Sequence, residues 1–205
     1  MILTGQLDSP FVRRVAIALH KYGIGFEHNV ISAYGDFDEL LNLNPLGKVP
    51  ALQLDDGTVL ADSTLILDYL DRLAGGDKSL WPASLDARAG VLAHAGVAFG
   101  LAEKAVEYRT ETVRRPSSKM DQARVNRVLA QIKASLDWLE NHTPKKGYIS
   151  GAEITHADIA SAVAITFIAN KNSRHLEGFD SASVVRHAVR CEALAPFRAA
   201  PFTGG

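Results

Sequence analysis

Hydrophobic and polar positions change their rhythm once along this chain, near residue 80. In the first third, periods of two and of 3.6 residues alternate. The apolar run "MILTG" ends in glycine, and Val12, Val15, Ala16 and Leu19 then recur at i, i+3, i+4 and i+7, which predicts a strand followed by a helix with one buried face. Gly23 predicts the end of that helix. "GFEHNVI" alternates as a strand, "DFDELLNL" reads as a short helix, and "ALQL" and "TVLA" flank a hairpin turn at Asp55-Asp56-Gly57. Ile66, Tyr69, Leu70 and Leu73 make a further helical stripe. The predicted order is βαβ followed by αββα, and the hairpin makes the sheet a mixed one.

After "AGGDKSLWP", a linker bearing Gly and Pro, the strand signals cease. Leu92, Ala95, Phe99 and Ala102 predict a long helix stopped by Pro116, and Val125, Leu129, Ile132, Leu136 and Leu139 another, closed by "NHTPKKG". Ile159, Ala162, Val163, Thr166 and Phe167 mark a third, apolar enough to be central to the core. "FDSASVVRHAVRCEAL" predicts a fourth before a Pro-bearing tail. The fold class is therefore α/β plus all-α: a small mixed domain over residues 1–75 joined to an all-helical domain over residues 85–205.

Composition narrows the function classes. The 205 residues are 47% hydrophobic and 22% charged, as in ordinary globular proteins, and no unbroken apolar run reaches the ~18 residues of a membrane span. "ILTGQL" after Met1 lacks the basic leader and apolar stretch of an export signal, so the expectation is a cytoplasmic protein with no membrane partner. Cys191 is the single cysteine, which excludes a CxxC dithiol site and a multi-cysteine zinc site, and no metal is expected. A net charge of −1 argues against nucleic acid as a partner. Residues 1–80 hold 6 Lys+Arg against 11 Asp+Glu and residues 81–205 hold 16 against 12, so the two parts carry opposite charge.

Four short stretches could carry chemistry or caps. In "SPFVRRV", Ser9 suits an N-cap and Pro10 the first helical position. Ser9 either only caps, or also adds a donor where the helix dipole and free N–H groups stabilise a thiolate. In "NPLGKVPAL", Pro50 precedes a strand, as a plain turn or with a cis bond, which X-Pro pairs adopt in about 5–6% of folded cases. In "LADSTLILDYL", Ser63 reads as a second N-cap with Asp62 beside it, either an ordinary capped helix or a site for an amino-acid head group, its carboxylate on Ser63 and its ammonium on Asp62. In "ITHADIA", Thr155 and Asp158 form a near capping box whose role is structural.

Together, and in this order, "SPFVRRV", "NPLGKVPAL", "ADSTLILDYL" and "THADIA" resemble the cytosolic glutathione transferase family over essentially the whole chain, in its serine-type, bacterial-like form. The resemblance implies a thioredoxin-like N-terminal domain with a mixed four-stranded sheet, and an all-helical C-terminal domain lining an electrophile site. It implies that Ser9 supports the glutathione thiolate, and that Val49 pairs by its main chain with the cysteinyl part ahead of cis-Pro50. Asp62 and Ser63 would hold the γ-glutamyl end, with Lys48 near the glycyl carboxylate. Many members carry Glu where Asp62 stands. Serine in place of cysteine disfavours the branches that form a mixed disulfide, and Leu7-Asp8-Ser9 stands where the serine-using isomerases carry Ser-Ser-Cys.

The leading expectation is a glutathione S-transferase of detoxification type, with glutathione as co-substrate, no covalently bound cofactor, and a small electrophile as second substrate. Phe11, Phe99 and Tyr108 are candidate walls for that electrophile, although aromatic residues there are often simply core. A homodimer is the implied assembly. The alternatives are a non-catalytic glutathione-binding scaffold or regulatory protein, or a glutathione-dependent peroxidase, reductase or isomerase on the same fold.

Overall fold

Ser9 and Pro10 open the first helix as their residue types require. This computed structural model describes residues 1–178 and 182–203. Strand β1 (Ile2–Thr4) leads into helix α1 (Pro10–Tyr22), which Ser9 caps in extended conformation. Gly23 ends the helix at φ 72°, where its N–H and that of Ile24 reach back to the carbonyls of His20 and Leu19. Then follow β2 (Glu27–Asn29), α2 (Phe37–Leu43), β3 (Ala51–Gln53), β4 (Val59–Ala61) and α3 (Ser63–Ala74). The sheet order is β2-β1-β3-β4, with β1 parallel to β2 and the other pairs antiparallel, the mixed four-stranded sheet implied above. Asp56 caps the hairpin turn by accepting from Thr58 N at 2.9 Å. β2 is a polar, exposed edge, which discourages pairing with another sheet.

The helical part comprises α4 (Leu85–Arg109), α5 (Gln122–His142), α6 (His156–Lys171), α7 (Ser183–Glu192) and a short α8 (Ala195–Ala199). The chain divides into two compact units: Met1–Leu80 with Ala193–Gly205, and Trp81–Glu192. The sequence predicts a helical domain running through residue 205, whereas the structure returns the segment from Ala193 to the first unit. The cause is long-range. Arg13, 1% exposed, donates from Nε to Ala200 O at 2.8 Å, and its guanidinium lies 5.9 Å from the centre of the Phe197 ring. Packing of α8 and α3 against α1 also buries Ile17 and Ala18, which lie off the predicted face.

Two predicted stripes are displaced. On α3 the buried positions are Ile66, Leu67 and Leu70, while Leu73 is 50% exposed. On α4, Leu92 is 48% exposed and the buried face is Val91, Ala95, Ala98, Leu101, Ala102, Ala105 and Tyr108. Both helices carry apolar residues on more than one face, so their period can be read at two phases, and packing against neighbours chooses one. Leu85–Arg114 is long and apolar enough by composition to cross a membrane, which counting unbroken runs misses; here its small residues pack with α5 and α6. α6 is buried around nearly its whole circumference, as its composition predicts. The predicted helix beginning at Phe179 is observed from Ser183; Phe179, Asp180 and Ser181 lie outside the described residues. Its first N–H groups, of Ser183 and Val184, are capped from α5 by the Glu140 carboxylate, each at 3.0 Å.

Candidate functional site

Strand register gathers three of the four stretches. Thr4 pairs with Ala51, and Ala51 with Ala61, so the chain leaving Thr4, entering Ala51 and leaving Ala61 meets at one end of the sheet. Those segments carry Ser9, Val49–Pro50 and Asp62–Ser63.

Gly5 makes the first approach possible. At φ 131° it occupies backbone space closed to other residues, and a Cβ there would lie 2.5 Å from Val12 Cγ2 and 2.8 Å from Val49 Cβ. The loop before Pro50 thus lies against the first turn of α1. Gly5 N donates to Asn29 O at 2.9 Å, and Gly5 O accepts from His28 Nε2 at 2.7 Å. Ser9 is half-buried, and its Oγ accepts from Val12 N at 3.4 Å. With that N–H on one lone pair, the hydroxyl proton remains for a ligand. Pro10 has no N–H, and that of Phe11 has no partner inside the helix.

The Val49–Pro50 bond is cis, the rarer of the two alternatives its sequence leaves open. Buried Asn44 braces the turn before it, donating to Lys48 O at 3.0 Å and accepting from Leu46 N at 3.1 Å. The Lys48 side chain is exposed and Val49 half-buried.

At α3 the predicted cap is corrected. Asp62, not Ser63, is the N-cap: its Oδ1 accepts from Thr64 N at 2.8 Å, and Ser63 is the first helical residue. Asp62 sits at φ 67°, the one non-glycine residue with positive φ among the described residues, a conformation costing about 1–3 kcal/mol that clusters at functional sites. Ser63 is 4% exposed because its hydroxyl faces inward, accepting from Arg14 Nη2 at 2.5 Å; the same nitrogen donates to Thr64 Oγ1 at 2.8 Å. Arg14 is itself 3% exposed.

Gly5, Arg14, Asn44 and Thr64 are therefore structural parts of this site that the motifs do not single out. The glycine closing "MILTG" is the one local signal among them. Arg14 has none, since its partners lie 49 and 50 residues on.

The remaining predicted residues belong to the second unit, Phe11 excepted, which is half-buried on α1. Phe99 packs on a cluster of Val91, Ala95 and Ala157. Tyr108 is 4% exposed, with His175 edge-on at 4.6 Å and the Arg174 guanidinium at 5.1 Å. Both rings are engaged in the packing of the helical unit. Thr155 and Asp158 form the capping box: Asp158 Oδ2 accepts from Thr155 N at 2.7 Å and from Thr155 Oγ1 at 2.6 Å. Beyond the motif, Asp158 Oδ1 accepts from Ile149 N at 2.8 Å and meets His187 Nε2 at 3.2 Å. Cys191 is fully buried with Sγ 3.5 Å from His187, and burial pushes its thiol well up from the usual range. Among the described residues, no group of three or more His, Cys, Asp or Glu is placed to hold a metal ion.

Comparison with known proteins gives the chain its family. The family model of the glutathione S-transferase N-terminal domain matches residues 3–78, and that of the glutathione S-transferase C-terminal domain matches residues 122–182. The chain is 29% identical over 176 residues, 82% of each chain, to the uncharacterized GST-like protein YibF of Escherichia coli (strain K12). A glutathione S-transferase from Methylobacillus flagellatus KT, solved with GSH bound, is 25% identical with a TM-score of 0.88, covering 98% of this chain and 99% of that one. A glutathione transferase family member from Pseudomonas fluorescens Pf-5, with bound glutathione, is 27% identical with a TM-score of 0.85, covering 99% of each. Two family models on the two parts of the chain, together with full-length structural likeness, identify it as a member of the cytosolic glutathione S-transferase family.

Proposed function

We propose that this protein is a serine-type glutathione transferase, which binds glutathione in its first unit and activates it as a thiolate for attack on a small electrophile. The observation that carries the reading is Ser9: a half-buried hydroxyl at the start of α1, its oxygen already accepting from Val12 N, at the sheet end where Val49, Pro50, Asp62 and Ser63 also emerge. Val49 pairs through its main chain with the cysteinyl unit. Asp62 takes the γ-glutamyl ammonium, Ser63 its carboxylate, and Lys48 the glycyl carboxylate.

A free thiol titrates near 8.5, so a fall of about two units makes most of the bound thiol reactive at neutral pH, worth roughly 2.7 kcal/mol. A hydrogen bond from Ser9 to charged sulfur supplies about 1.5–3 kcal/mol of that, with the helix dipole adding to it. The thiol proton passes to solvent. The sulfur lone pair forms a C–S bond at the electrophilic carbon, and the displaced electron pair leaves with the leaving group or moves into the acceptor's π system.

The family supports a homodimer and a cytoplasmic role in detoxification. The ultraviolet difference spectrum of bound glutathione across pH tests the reading, in wild type and Ser9→Ala. A thiolate band titrating well below the free thiol, and lost in the variant, is expected. Bound glutathione without a low-pH thiolate refutes the catalytic role, and absence of binding refutes the glutathione reading altogether.

A further inference from the structure

Gly5 is where β1 gives way to the turn that carries Ser9, and β2 holds it by both of its backbone polar groups. Gly5 N donates to Asn29 O at 2.9 Å, which extends the ladder by one residue. Gly5 O meets the imidazole Nε2 of His28 at 2.7 Å. A carbonyl oxygen only accepts, so Nε2 carries a proton and donates, in the neutral ring and the cation alike. His28 is paired in register with Leu3 and stands on an exposed edge strand with no apolar surface to cover.

The bond matters because of what Gly5 lacks. Val12 and Val49 crowd the side where a Cβ would stand, but a glycine at φ 131° has no side chain to restrict the peptide plane that follows it. The direction of the Gly5 carbonyl is therefore set by its hydrogen bond. That carbonyl begins the peptide of Gln6, whose own carbonyl accepts from Ser9 N at 3.1 Å, and Ser9 O accepts from Arg13 N at 2.9 Å as α1 begins. From this chain of contacts we infer that His28 is a positioning residue for Ser9: it aims the Gly5 peptide, and through Gln6 the turn that presents the Ser9 hydroxyl. The inference rests on the reading that Ser9 supports the glutathione thiolate, and adds His28 on β2 to that machinery.

The test compares His28→Ala with His28→Gln, whose amide nitrogen reaches about as far as Nε2, by two readouts: the thiolate absorbance of bound glutathione across pH, and calorimetric affinity at about pH 5.5, where most of the bound thiol is protonated. His28→Ala should hold about threefold to tenfold less thiolate on the acid side of the titration, the worth of one hydrogen bond, while its affinity at the lower pH stays within about twofold. His28→Gln should recover most of the thiolate. A wild-type titration in His28→Ala overturns the inference, and so does an affinity loss at the lower pH with the titration unmoved, since that places His28 with Val49 and not with Ser9. Failure of His28→Gln to recover the thiolate also overturns it. His28→Asn, whose amide is too short to reach Gly5 O, should behave as the alanine variant does and decides the matter if that variant does not fold; an unshifted titration in it is again refuting. Absence of any low-pH thiolate in the wild type refutes the reading of Ser9 beneath, before a substitution is made.

Discussion

Replacing Asp158 by alanine should destabilise the helical unit more than any other single truncation of a polar side chain there. The carboxylate is 0% exposed and takes hydrogen bonds from Thr155 N, Thr155 Oγ1 and Ile149 N at 2.6–2.8 Å, with His187 Nε2 at 3.2 Å. Burial alone would raise its pKa, but the hydrogen bonds from His187, Thr155 and the two backbone N–H groups outweigh burial and hold it below the ordinary carboxylate range. Truncation strips two backbone donors that cannot turn elsewhere, Ile149 N and Thr155 N, and leaves His187 Nε2 only Cys191 Sγ at 3.5 Å. Each such donor left unpaired costs about 1–3 kcal/mol, so the two together cost about 2–6 kcal/mol. That is a large part of the ~5–15 kcal/mol a whole domain has. Thr155→Ala, which loses only the reciprocal half of the cap, should cost about 1–2 kcal/mol. Urea denaturation followed by tryptophan fluorescence reads this directly, because Trp81 and Trp138 both lie in the second unit. With a slope of about 2–3 kcal/mol per molar, the Asp158→Ala midpoint should fall by about 1–3 M. The folded pKa is depressed, so this stabilisation is full above the unfolded carboxylate range and is lost as pH falls through the folded value; the gap between wild type and variant should narrow below about pH 4. A loss under about 1 kcal/mol, or a gap that stays constant into acid, refutes the account of Asp158 as an ionised hub.

Two further outcomes follow from buried groups elsewhere. His94, 2% exposed, has its pKa pushed down to about 4 by burial, partly offset by Asp158, so it is neutral in the fold and protonates in the unfolded chain first. Stability should therefore fall by about 2 kcal/mol from pH 7.5 to 5, and unfolding curves of His94→Gln should lack most of that slope; an equal slope in both refutes the assignment. Gly5→Ala places a methyl against Val12 and Val49 at positive φ, which should cost about 2 kcal/mol or more of stability and, by moving Val49, weaken glutathione binding beyond that loss. Calorimetry on the folded variant showing wild-type affinity would separate Gly5 from the site.

What could be read from the chain was what local chemistry decides. Ser9-Pro10, the Asp55-Asp56-Gly57 turn, Gly23 and the Thr155/Asp158 box each complete their hydrogen bonds within a few residues, and each forms where predicted. The cap of α3 shows the limit. Asp and Ser are both good N-caps, and adjacent in sequence they are locally indistinguishable. Arg14, from 49 residues away, draws the Ser63 hydroxyl inward and leaves the cap to Asp62. The phase of α4 was undetermined for a similar reason, since leucine at 92 and valine at 91 serve equally until α5 and α6 cover one of them.

The pair Arg13-Arg14 makes the same point for the whole site. Successive residues on a helix project about 100° apart, so two adjacent arginines leave it in different directions. Here Arg13 holds the returning C-terminal segment through Ala200 O, 187 residues on, while Arg14 holds the start of α3. α1 is thus fixed on two sides by buried guanidinium groups, and Gly5 fixes a third by letting Val49 approach Val12. Ser9 sits at the end of that helix. Its own cap is a long 3.4 Å contact, too weak to orient a hydroxyl unaided, so the direction it faces is set by α1 as a body. The serine proposed to carry the chemistry is legible in a short stretch of sequence, but what aims it is the packing of a helix whose anchors lie far along the chain.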